Sequence, residues 1–116
     1  MVRDDDFIRQ MLLDFEVSKD EWIIHARSLN PSEEDVKFGH HLDLLCDAGL
    51  MTFVQGSAYR MTNAGHDYLA AIRDDTVWNK TKDAAKEVGG MTLGMMKDVA
   101  VAYIKQEAAT KLGITF

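Results

Sequence analysis

The chain holds one cysteine and one proline in 116 residues, and it has no basic excess. Each shortage excludes something. A lone Cys46 cannot form an internal disulfide and suits a reducing cytoplasm. One proline and eight glycines leave no material for a long flexible linker, so a single domain over residues 1–116 is expected. No run approaches the roughly 18 apolar residues of a membrane span. The opening MVRDDDFIRQ is acidic and lacks the apolar core of a secretory signal. The net charge is −6 with a pI near 5.0, against the basic footprint usual in nucleic-acid binders. No segment is strongly positive, and residues 32–49 carry −4.

What is present is an ordinary globular balance, 47% hydrophobic and 28% charged. Phe7, Ile8, Met11, Leu12 and Phe15 keep helical spacing, so a first helix is expected over about residues 4–17, its acids Asp4, Asp5 and Asp6 at the favourable end of the dipole. EWIIH, residues 21–25, reads as a short strand. Asn30-Pro31 breaks the chain, and Ser32 with Asp35 resembles a capping box opening a helix to Ala48. Phe38, Leu42, Leu45 and Cys46 line its expected buried side, and Gly49 stops it.

LMTFV and AYRM flank Gln55-Gly56-Ser57 and predict a β-hairpin. Thr62 then caps a helix carrying Gly65, Tyr68, Leu69 and Ile72, with Gly65 allowing a close approach. Val77, Trp78, Thr81, Ala85 and Val88 mark another helix, capped by Asp75 or Thr76 and ended by Gly89-Gly90. Arg73, Asp74, Asp75 and Trp78 thus read as a structural junction rather than a site, because adjacent aspartates on a helix diverge by about 100°. Thr92 starts the last helix, whose apolar arc includes Met95, Met96, Val99, Tyr103 and Ile104. That arc is wider than a peripheral helix needs, so it is expected to form core or a dimer interface.

This order predicts a mainly α fold with a small sheet. It is a winged helix-turn-helix, with residues 76–116 as a helical extension that packs on the core or mediates dimerisation. YRMTNAGHDYL, residues 59–69, looks like a winged-helix wing exit. The outer face of the 32–48 helix would carry Glu33, Lys37, His40, Asp43, Leu44 and Asp47. Phosphates along a duplex would be repelled by such a face more than attracted. His40, Asp43 and Asp47 share a face but lack a second ligand cluster for a metal. His40 and His41 are expected to point apart, with His41 toward the buried side, and His25 and His66 have no obvious partner. Cys46 reads as a small hydrophobe. No phosphate-binding glycine loop, HExxH or GxSxG occurs, so no enzyme activity and no cofactor are expected.

Three segments carry a family resemblance: VRDDDFIRQMLL, HLDLLCDAGLM and MTNAGHDYLAAIRDDTVWNKTK. On these the chain resembles a phage- and prophage-associated family, the domain of unknown function numbered two-five-one-three. The resemblance implies a winged-helix fold and a mobile-element setting, and it brings no catalytic residues. The expected function is a cytoplasmic, non-enzymatic binding module. It would act through protein contact, as a homodimer or on a host or phage protein, for instance by presenting its acidic surface. The alternative is a DNA-binding transcriptional regulator using the 32–48 helix and the 50–62 wing.

Overall fold

The computed structural model describes residues 1–115. It contains five helices and one small antiparallel sheet: α1 (Asp5–Val17), β1 (Ile23–Ile24), α2 (Glu33–Asp47), β2 (Met51–Gln55), β3 (Ala58–Met61), α3 (Asn63–Ile72), α4 (Asp75–Glu87) and α5 (Leu93–Leu112). The chain forms two compact units, Met1–His66 and a second from Asp67 onward. The second unit thus begins inside α3.

In the first unit, Asp4 caps α1 by accepting from the Phe7 amide at 3.0 Å, and Ser32 caps α2 through the Asp35 amide at 3.1 Å. Ile8, Met11 and Leu12 of α1 and His41, Leu42 and Leu45 of α2 are buried. Phe38 and Cys46, expected there, are only half-buried, and the buried residues of α2 are Gly39, His41, Leu42 and Leu45. The sheet order is β1-β3-β2, all antiparallel. Phe53 and Ile23 both pair with Tyr59, and a bulge separates Phe53 from Gln55. β1 is shorter than the expected strand and excludes Trp22.

Thr62 closes the unit. Its Oγ1 accepts from the Gly65 amide at 3.1 Å, capping α3, and donates to the Gly49 carbonyl at 2.5 Å. A side chain at Gly65 would place its Cβ 2.1 Å from the Leu50 carbonyl oxygen, so only glycine lets α3 start this close to the chain entering β2.

Between β1 and α2 there is no helix among the described residues. A helix-turn-helix in the strict sense joins two helices by a turn of about 3–4 residues. Here α2 is approached by residues 25–32, which form neither helix nor strand and bend at Leu29 and Asn30.

In the second unit α4 packs on α5. Asp74, not Asp75 or Thr76, caps α4, accepting from the Val77 amide at 3.0 Å; Asp75 is already helical. Only Arg73 and Asp74 therefore lie between α3 and α4. Val77, Trp78 and Thr81 are buried, whereas Val88 sits past the helix end and is exposed. Thr92 caps α5, and Gly113 ends it with a left-handed backbone. Leu93, Met96 and Ala100 form the buried side of α5. No helix among the described residues is long and apolar enough to cross a membrane.

Candidate functional site

The outer side of α2 is where sequence reasoning placed the interaction surface. The structure divides those six residues into engaged and open ones. Lys37 is engaged: its Nζ lies 3.1 Å from Asp4 Oδ2 and 4.5 Å from the centroid of the Phe7 ring. Asp43 is engaged as well, since it accepts from Arg27 at 2.5 Å. Leu44 and His40 are half-buried. Glu33 and Asp47 are exposed, and so are Glu34 and Asp35 in the first turn. The first-turn acids have a local cause, the unpaired amides and positive dipole at the start of α2.

His41 ties α2 to α1. Its ring is fully buried, Nε2 accepts the Asp4 amide at 2.9 Å, and Nδ1 lies 2.8 Å from the Lys37 carbonyl. An amide only donates and a carbonyl only accepts, so the imidazole is neutral with its proton on Nδ1. Phe7 meets this ring edge-on at 5.0 Å. The Phe7 amide, then Lys37, hold the Asp4 carboxyl below its ordinary value of 3.8. His40 and His41 do not point apart: their rings meet edge-on at 5.3 Å, His40 half-buried and His41 buried.

The segment before α2 adds what the sequence reading missed. Arg27 bonds Asp43 and also donates to the Gly39 carbonyl at 3.4 Å. A Cβ on Gly39 would sit 3.0 Å from Arg27 Nη1 and 3.2 Å from His25 Nε2, so glycine lets the segment cross α2 there. His25, expected to lack a partner, packs on Phe38 with ring centroids 4.8 Å apart. Residues His25, Arg27, Pro31, Val36, His40 and Asp43 line an open groove of about 340 Å³. Arg27 and its partner Asp43 are sixteen residues apart, beyond the reach of any local sequence pattern.

The chemistry available in this unit is limited. The Cys46 thiol is pushed up by burial and then by Asp43 and Asp47, which keeps it protonated and a poor nucleophile. Among the described residues no three His, Cys, Asp or Glu side chains gather to hold a metal. Charge is its distinctive property. Residues 1–66 contain twelve acids and six basic side chains, the entire −6 of the protein, while the second unit is neutral with seven of each. Three of those six cations, Arg3, Arg27 and Lys37, pair with carboxylates of the same unit. The hairpin tip, Gln55-Gly56-Ser57, carries no cation.

The second unit holds the remaining sequence-derived candidates. Trp78 is 2% exposed, with Lys82 Nζ 5.4 Å over its ring. On α5, Met96 is buried, Val99, Tyr103 and Ile104 are half-buried, and Met95 is exposed.

The family model described as "Hypothetical protein (DUF2513)" matches residues 2–92, which span everything up to the cap of α5. An uncharacterized protein of Haemophilus influenzae is 32% identical over 123 aligned residues, covering 94% of this chain and 100% of that protein. No solved structure gives a significant match. The extent of the family match and the full-length relative together establish that this chain belongs to the DUF2513 family.

Proposed function

We propose that the protein is a non-enzymatic binding module of winged-helix layout that acts through contact with other proteins, by way of its acidic first unit. One observation carries this reading: residues 1–66 hold the whole net charge of −6, and Arg3, Arg27 and Lys37 among their basic side chains are engaged by internal carboxylates. Exposed Glu33 and Asp47 on α2, with Glu34 and Asp35, offer carboxylates to a basic protein surface. Such a surface could be one that otherwise meets phosphates, which complementary charge would occlude. The phage or prophage setting follows from the family resemblance. The cytoplasmic setting rests on the single half-buried cysteine.

The sheet order favours a second reading. A β1-β3-β2 sheet with its hairpin directly after α2 is the layout in which winged-helix proteins dock a helix in the major groove. The charge of the unit opposes it, since phosphate contacts by Lys and Arg supply most of the affinity for DNA. Immobilised protein presented with host lysate tests the first reading. Capture of a basic partner, lost in Glu33→Lys/Asp47→Lys and competed by duplex DNA, is expected. Capture indifferent to both the charge reversal and the DNA would overturn it.

A further inference from the structure

The second unit has a surface of different character. α3 and α5 enclose an open groove of about 640 Å³, with Ala71, Val101, Ala102 and Ile104 along it and Asp98 and Lys105 beside it. A second hollow of about 350 Å³ shares Ala102 and Lys105 and continues to Ala109 and Ile114. The strip thus runs along the side of α5 away from Leu93, Met96 and Ala100, which are the buried ones.

Asp67 and Lys97 also line the groove, and the two exposed charges on the outer line of α5, Asp98 and Lys105, are placed symmetrically. Asp98 and Lys105 are seven residues apart, two helical turns or roughly 10 Å, and therefore lie on one line of α5. Both are exposed, and neither has an ion-pair partner among the described residues. Val101 and Ala102 sit midway between them. If a second α5 lies antiparallel with the two-fold axis between Val101 and Ala102, each Asp98 faces Lys105 of the other copy. The pairing is made twice by one rotation, as an isologous interface requires. Ala102 beside the axis leaves room for close helix approach. This unit is neutral, so the face itself adds no net repulsion to self-association.

We infer that the α3–α5 groove is a self-association surface whose occupant is α5 of a second copy of this chain, antiparallel, with reciprocal Asp98–Lys105 pairs. This goes beyond the acidic-face reading and does not depend on it.

Sedimentation equilibrium of the full chain tests it. The wild type is expected to dimerise reversibly, and Asp98→Lys or Lys105→Asp to weaken the dimer about tenfold or more through two like-charge contacts. The double variant D98K/K105D is expected to restore the affinity to within about threefold of wild type. Both side chains are exposed, so the variants should melt with the wild type. Should a reversal unfold, Asp98→Asn and Lys105→Gln give the same reading with smaller losses. A wild type monomeric at several hundred micromolar, a dimer indifferent to all the substitutions, or a double variant without rescue would each overturn the proposal.

Discussion

The backbone amide of Asp4 donates to Nε2 of His41 at 2.9 Å, across 37 residues of sequence. The other ring nitrogen lies against the Lys37 carbonyl at 2.8 Å. One buried neutral imidazole thereby joins the start of α1 to the middle of α2. His41→Ala opens a cavity and leaves the Asp4 amide without its acceptor. A loss of about 2–4 kcal/mol is expected in denaturant unfolding. A variant as stable as wild type would mean that the bond contributes nothing.

Asp4 on the same joint gives a pH dependence with a definite sign. Its folded value is depressed below 3.8, first by the Phe7 amide and then by Lys37. The stabilisation is therefore complete above 3.8 and disappears as pH falls through the folded value. Asp4→Asn keeps a capping oxygen but carries no charge. Its melting temperature, compared with wild type, should show a deficit at neutral pH that closes as pH falls below 3.8 through the folded value. A deficit that grows with acid would contradict this assignment.

Gly65 is a steric requirement. An alanine Cβ would come 2.1 Å from the Leu50 carbonyl oxygen and 2.7 Å from Met61 Cγ. The carbonyl is backbone and cannot swing away. Gly65→Ala should cost at least about 1–3 kcal/mol despite alanine's better helix propensity. Thermal unfolding decides it, and a stabilised variant would show that α3 can shift.

Trp78 is almost fully buried in the second unit. Trp78→Ala should lose on the order of 3–5 kcal/mol. Near-wild-type melting would return Trp78 to the surface and reopen a binding role for it.

Much of this fold is legible in the sequence, and the misses share one cause. Periodicity gives α1, α2, the hairpin, α3, α4 and α5, because each amphipathic run is local. Ser32, Thr62 and Thr92 are recognisable as caps for the same reason. Asp75 and Thr76 were plausible caps for α4, and only the main-chain path selects Asp74. The engaged state of Lys37 and Asp43 depends on Asp4, 33 residues away, and on Arg27, 16 residues away. A helical wheel of α2 places both on the outer face and cannot see what crosses it. The segment holding Arg27 has neither periodicity nor a strong turn signal until Asn30-Pro31, so the contact that reshapes the candidate face was invisible.

The charge imbalance between the two units bears most on function. It is tested most directly by titrating labelled random and genomic duplex DNA with the protein at low salt, where phosphate contacts are strongest. The account predicts no saturable, salt-sensitive binding at protein concentrations where DNA-binding winged-helix proteins saturate. Tight binding that weakens steeply with added salt would contradict it and return α2 and the hairpin to the role of a DNA reader.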